Sequence, residues 1–350
     1  MSKFLTIIVP TYNMQDYLHR CLDSLVLKDE QLKSQLEVLV INDGSKDNSS
    51  VIAHEYEAKY SDTFRVIDKE NGNYGSCVNR GLKEATGKYI KVLDADDWFD
   101  TDEFAKYLTA LQQIDVDLVL TPFVSHYESS GAEQLSTQPY LQEGEIYEFN
   151  TFPKDKIFRY SMHMVTYRTD MLRNINYCQT EGISYTDTEW AHIPQYVIQT
   201  FAWINTSIYQ YCVGREGQTM NVSVLAKNIL KYEIICRSLI DNAGKYPDKA
   251  KYPLAEEFNM QQIEFLATNI YRMFLVLVQP TQEDMEHLKQ FDAYLKEACP
   301  IVYNKSGRSP MKKWLPLRYV SLWRKTGIRI PVDAIRETYR KLKYGSKYKS

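Results

Sequence analysis

Three carboxylates crowd the end of an apolar run in "KYIKVLDADDWFD", Lys88 to Asp100. Asp94, Asp96 and Asp97 follow directly on Tyr89–Leu93. Like charges this close repel and raise one another's pKa, so the cluster calls for a cation or for water. Two carboxylates separated by one residue, Asp94 and Asp96, can grip a divalent ion that already holds a diphosphate. Hard oxygen donors suit Mg2+ or Mn2+, which keep waters and substrate phosphates among their ligands. The plainer reading makes Asp97 the cap of the next helix and the others solvated turn residues.

Further polar clusters share this character. "NDGSKDNS" (Asn42–Ser49) offers Asp43 as an acceptor for a base or ribose, or as the closing residue of an Asx-turn. "NGNYGS" (Asn71–Ser76) is glycine-rich but is neither G-x-G-x-x-G nor a P-loop, which weighs against a dinucleotide enzyme or an ATPase. "SYTDTEW" (Ser184–Trp190) puts Asp187 and Glu189 at a helix start, where a carboxylate acts either as a general base or as a cap. His163 reads as a core or surface histidine ahead of an acceptor contact.

These clusters need elements to hold them. "FLTIIVP" predicts a strand from Phe4 to Val9, ended by Pro10. A helix capped by Asn13 follows, with Leu18, Cys21, Leu22 and Leu25 on its buried face. Leu36–Ile41, "FRVI", "YIKVL" and "VDLVLT" read as further strands, with helices over Asp47–Tyr60, over "NYGSCVNRGLKEATG" as far as Gly87, and from Thr101 to Gln113. Apolar strands alternating with helices imply a parallel sheet covered on both faces, with ligands beyond the strands' carboxyl ends. Pro10–Asn13, Asn42–Ser45, Asn71–Asn73 and Asp94–Asp97 all fall on that edge. Residues 122–150 read as irregular, His163–Arg168 as a strand, "TDTEWAHIPQYVIQ" as a helix, and about Asn221 to Cys299 as mostly helical.

The bulk properties set bounds. The 350 residues, 44% hydrophobic and 13% aromatic, suffice for one large domain with an appendage or for two domains. The longest apolar runs are far too short to span a membrane, and the N-terminus lacks a signal-peptide pattern, which predicts a cytoplasmic protein. Six scattered cysteines without a C-x-x-C pair argue for reduced thiols and against structural zinc. Residues 305–350 carry 14 Lys/Arg against 2 Asp/Glu, a net +12, so the rest of the chain stands at −15. Within this tail "MKKWLPLRYVSLWRKTGIRI" interleaves basic and aromatic residues. That pattern suits docking on an anionic membrane surface, at the inner face, or a basic cap on an acidic domain. No nucleic-acid motif accompanies the charge.

"TIIVPTYNMQDYLHRCLDSL", "EVLVINDGSKDNS", "NGNYGSCVNRGLKEATGKYIKVLDADDWF" and "YTDTEW" occur in the order typical of family 2 glycosyltransferases, which the chain resembles over about Phe4 to Met220. The resemblance implies an α/β GT-A fold with a mostly parallel sheet and inverting transfer from a nucleotide-sugar donor, commonly a UDP-sugar, to a cell-surface glycan or lipid-linked acceptor. It places Pro10, Thr11, Asn13, Asp43, Asn73, Arg80, Asp94 and Ala95 around the nucleotide sugar, and the metal on Asp96 with Asp94. The family often shows Arg-Asn where this chain has Asn79-Arg80. In "YCVGREGQTM", Arg215 could neutralise diphosphate and Gln218 could bond donor or acceptor. The family's base is the last member of an acidic pair. Thr186 replaces the first here, leaving Asp187, with Glu189 as runner-up. A carboxylate at a helix N-terminus is expected to have a lowered pKa. The implied organisation is a catalytic domain over 1–220, divided near 121, then a helical region over 221–304 and a basic tail over 305–350. A haloacid-dehalogenase-like phosphatase is the rival enzyme, though its D-x-D sits on an early strand. An inactive sugar-nucleotide-binding module is the non-enzyme alternative.

Overall fold

The computed structural model describes residues 3–214, 228–308 and 318–329. Two compact units emerge: one takes the chain up to Gln218 together with Tyr246–Glu257, the other takes Thr219–Lys245 and Phe258–Ser350.

The first unit is built on strands β1 (Leu5–Thr11), β2 (Leu36–Asn42), β3 (Phe64–Asp68) and β4 (Tyr89–Val92). They lie in the order β3-β2-β1-β4 and pair in parallel. β1, β2 and β4 are near-continuous apolar runs buried along almost their whole length, as a sheet covered on both faces requires. The sheet continues through β10 (Val165–Arg168), β6 (Leu118–Leu120), β11 (Thr200–Trp203) and β9 (Ile146–Glu148), where β10 and β9 run against the rest. Helices α1 (Gln15–Asp23), α2 (Glu30–Ser34), α3 (Ser49–Lys59), α4 (Asn73–Glu84) and α5 (Thr101–Leu111) connect the early strands, and α6 (Thr169–Asn174) follows β10. Leu18, Cys21, Leu22 and Leu25 are fully buried, as their spacing predicts.

β1 does not stop at Pro10. It runs to Thr11, with Pro10 opposite Ile41 of β2. The Ile8 carbonyl faces β4, where it accepts from Leu93, while the Thr11 carbonyl faces β2, where it accepts from Asp43. By alternation, Pro10 turns its missing N–H toward β4, whose pairing with β1 ends at Val92 opposite Ile8, so no ladder bond is lost.

Residues 122–150 are more regular than their sequence suggests. β5 (Trp98–Phe99), β12 (Tyr209–Val213), β7 (Phe123–Tyr127) and β8 (Ala132–Ser136) form a second sheet in that order. Their alternation is weak because β8 is almost wholly exposed. The helix expected over "TDTEWAHIPQYVIQ" is short: α7 (Asp187–His192) gives way to a 3-10 turn at Ile193–Tyr196, where Pro194 cannot continue the α-helical ladder.

The second unit is helical, with segments at Ile229–Gly244, Gln282–Ala298, Pro300–Arg308 and Tyr319–Thr326. The last falls within the basic tail, and all but one of its large apolar residues are already in use. Tyr319, Val320 and Trp323 are buried. Arg324 bonds Asp292 at 2.8 Å, the Tyr303 carbonyl and the Tyr271 hydroxyl, and lies over the Tyr303 ring. These side chains pack into the unit, which removes them as a membrane-facing surface. The rest of the tail beyond 329 lies outside the described residues, as do 309–317. No helix among the described residues is long and apolar enough to cross a membrane.

Candidate active site

The carboxyl ends of β1, β2 and β3 open on a cleft of about 610 Å3 lined by Tyr12, Gly44, Lys46, Asp68, Lys69, Glu70 and Asn71. Its rim is tied together by local side chains. Asn13 adopts φ 53° and does not cap α1. Its carboxamide oxygen instead accepts from the Lys46 N–H at 2.7 Å, and its own N–H donates to Ser45 Oγ. Short polar side chains tolerate such left-handed backbone. Asp43 is buried, accepts from Lys69 Nζ at 2.5 Å and from the Gly72 N–H at 2.9 Å, and so holds β2 to the loop entering α4. Asn73 follows that loop at φ 65°. Pro10 is half-buried. Thr11 and Ala95 are buried, so neither offers a side chain to the cleft. The Thr11 hydroxyl bonds the Val9 carbonyl, and the Ala95 methyl joins the core.

Arg80 is elsewhere. Its guanidinium pairs with Glu84 one turn along α4, on the helix's exposed side. The family resemblance sets Arg80 at the nucleotide; here it is Asn79 that takes the inward position, since a helix turns 100° per residue. Asn79 forms a reciprocal amide pair with the backbone of Gln179, at 2.8 and 3.0 Å. Gly75 lies so close to this segment that a Cβ would stand 2.2 Å from the Thr180 carbonyl oxygen, which is why the position has no side chain. The contact brings the segment before α7 against α4.

At the tip of β4 the three carboxylates have separate fates. Asp97 is 1% exposed. It accepts from Tyr209 Oη at 2.7 Å and from the Cys212 N–H at 2.8 Å. Burial, then the charges of Asp96 and Asp94, push its pKa well above the usual carboxylate range, against these donors. Asp97 does not cap α5; Asp100 does, accepting from the Glu103 N–H. Asp94 is half-buried and accepts from Tyr74 Oη at 3.0 Å, and its own N–H donates to Tyr209 Oη. Asp96 is half-buried, and its carbonyl accepts from Arg20, whose guanidinium stacks on Trp98.

Asp187 occupies the first turn of α7, facing the same space. Its charge acts together with that of Asp94 on Tyr74, and with those of Asp97, Asp94 and Asp96 on Tyr211. Burial raises the Asp187 pKa despite N–H donors from Thr188 and its own backbone. The expectation of a lowered value is thus overturned: desolvation outweighs one short turn of helix. Glu189 is fully buried and accepts from the Thr180 N–H and hydroxyl, at 2.7 and 2.8 Å. Its role is to hold the loop. Arg215 and Gln218 lie outside the described residues.

Sequence reasoning gives no site role to three neighbours: His163, Lys91 and Lys69. His163 packs among Phe123, Tyr209 and Tyr211, with ring centroids 4.9, 4.8 and 4.3 Å away. Burial and the Lys91 charge lower its pKa to about 3, so the ring is neutral. Lys91 is fully buried, donates to the His163 and Val165 carbonyls, and is lowered to about 7 by desolvation. Asp94, Asp97 and His163 bring one ligand atom each to within 4.8 Å of one another. The only sequence signal for Lys91 is a charge in a buried run; Lys69 shows none. Carboxylate oxygens beside a neutral imidazole fit a divalent cation of the Mn2+ kind.

Residues 6–175 match the family model for Glycosyl transferase family 2. The chain is 48% identical over 109 residues to the uncharacterized glycosyltransferase MG025 of Mycoplasma genitalium, covering 30% of this chain and 36% of that protein. The matches span between 34% and 60% of the length of the first four curated relatives. Among solved structures, S. aureus TarS 1-349 in complex with UDP superposes with TM-score 0.63 at 17% identity, over 98% of this chain and 93% of that one. The mannosyltransferase PcManGT of Pyrobaculum calidifontis, in complex with GDP-Man and Mn2+, gives TM-score 0.50 at 15% identity, over 87% of this chain and 83% of that one. The sheet order and flanking helices are those of the GT-A fold, and residues 6–175, just under half of the chain, match glycosyl transferase family 2.

Proposed function

We propose that the protein is an inverting, metal-dependent glycosyltransferase that moves a sugar from a UDP-sugar to a growing cell-surface glycan or lipid-linked acceptor. One observation carries the reading: Asp187 and the Asp94–Asp97 tip act on the same two tyrosines, at the sheet edge where a cleft opens off β1, β2 and β3. A base and a charge-neutralising site around one space are what displacement at an anomeric carbon needs. The donor and metal are supported by the company the fold keeps: TarS is solved in complex with UDP, and PcManGT in complex with GDP-Man and Mn2+.

The cleft beside Asp43 receives the nucleotide, with Tyr12, Lys46 and Lys69 on its walls. Asp94 and Asp96 would hold a Mn2+ or Mg2+ ion, which when bound supplies Lewis-acid neutralisation of the departing diphosphate. Asp97, with both oxygens engaged, orients Tyr209 and the tip. Asp187 takes the proton from the acceptor hydroxyl on the opposite face of the sugar. Its raised pKa makes it a stronger base than an exposed aspartate.

A thermal-shift screen of UDP-, GDP- and dTDP-sugars with and without Mn2+ tests the donor. Donor hydrolysis assays test the chemistry: a phosphatase would instead act on phosphomonoesters, and an inactive module on nothing. Asp96→Ala should lose metal-dependent donor binding, and Asp187→Ala should lose transfer while keeping it. Equal loss of donor binding in both would remove Asp187 from the role of base.

A further inference from the structure

The metal reading rests on acidic residues, yet the side chain that the fold sets opposite Asp94 is an imidazole. His163 follows the first residue of a 3-10 turn, Met162–Met164, just before β10. Several independent contacts fix that turn. Lys91 Nζ reaches from inside β4 to the His163 carbonyl at 2.8 Å, and Tyr74 Oη touches both Asp94 and Met162 Sδ. Three aromatic rings surround the imidazole, and Ser161 Oγ stands 3.0 Å from Nδ1. A histidine whose Nδ1 is engaged by a neighbouring hydroxyl, and whose ring is held by packing, is prepared to present its other nitrogen to a ligand.

We propose that His163 supplies a nitrogen ligand to the divalent cation held by Asp94. The inference rests on the metal-dependent reading above and adds a residue to it. Ligand atoms on one cation with bonds of roughly 2.1 Å stand about 3 to 4.2 Å apart. The 4.8 Å span among Asp94, Asp97 and His163 therefore closes with a small side-chain rotation. Asp97 is the weaker ligand of the three, since Tyr209 and the Cys212 N–H already engage its two oxygens. A nitrogen donor among carboxylates also shifts preference from Mg2+ toward Mn2+, because imidazole suits transition metals and Mg2+ favours oxygen.

Pulsed electron paramagnetic resonance on the full chain with Mn2+, alone and with UDP, tests this directly. The wild type should show nitrogen modulation of the bound Mn2+, and labelling the histidines with 15N should change its pattern. Neither measurement depends on a variant folding. In His163→Gln the modulation should vanish, Mn2+ binding should weaken about 10- to 100-fold, and the preference for Mn2+ over Mg2+ should shrink. Mn2+ bound through oxygen alone in the wild type, or modulation that persists in His163→Gln, overturns the proposal. In either case, Asp94→Asn losing Mn2+ would leave the metal-dependent reading standing. A wild type that binds no Mn2+ with or without UDP overturns both.

Discussion

The two walls of the site are built in opposite ways. On the nucleotide side, from β1 to α5, polar side chains close on one another: Asn13 with the 45–46 backbone, Asp43 with Lys69 and Gly72, Asp97 with Tyr209. Among the described residues, the first buried side-chain polar atom along the chain without a hydrogen-bond partner is Gln112 Nε2. The segment that carries Asp187 holds Thr186 Oγ1 and Trp190 Nε1 without one. Each buried polar group without a partner costs stability. The polar groups of the first wall are thus paired with one another without a ligand. The Asp187 wall gives up stability at groups that local structure does not satisfy, the pattern expected where function constrains residue choice.

Substitutions can break this contrast, and the largest effect belongs to the second wall. Asp187→Asn should lower kcat on the order of 10^3-fold, the range of general-base catalysis, with the donor Kd unchanged. In the wild type, burial raises the Asp187 pKa, so activity should fall as pH drops through a value above that of an exposed aspartate. A kcat profile flat to pH 4 would remove the base role.

Lys69→Met strikes the first wall. It strips the buried Asp43 carboxylate of its cation and should destabilise the protein by about 3 kcal/mol, measured by urea unfolding. Little change would mean that the wall is not prepaired in solution. Gly75→Ala strikes the seam between the walls. Its methyl collides with the Thr180 carbonyl, and overpacking there should cost about 2 kcal/mol and raise the acceptor KM. The smallest effect sharpens the picture: Arg80→Ala removes only an exposed i,i+4 pair, so stability should move by less than about 0.5 kcal/mol and donor Kd not at all. A clear loss of donor binding would restore Arg80 to the site.

The first wall was largely legible in the chain. Apolar runs closed by "PTYN", "NDGS", "NGN" and "DADD" marked the strand ends, and parallel pairing put those ends on one edge. Single side chains were harder. Asn79 and Arg80 are adjacent in sequence, yet only α4's docking against Gln179 decides which one faces inward. Glu189 and Asp187 look alike in "YTDTEW". Thr180, nine residues before Glu189, captures it and leaves Asp187 toward the tyrosines.

The sequence alone determined the periodicities, the turn residues and the excess of acid at one strand tip, because these depend on the order of neighbours along the chain. Tertiary structure decided which carboxylate is buried, which acts with Asp187 on Tyr74 and Tyr211, and that Asp94 comes to stand beside His163, whose carbonyl Lys91 holds. Those depend on distances between strands far apart in sequence, and on desolvation, which no single segment carries.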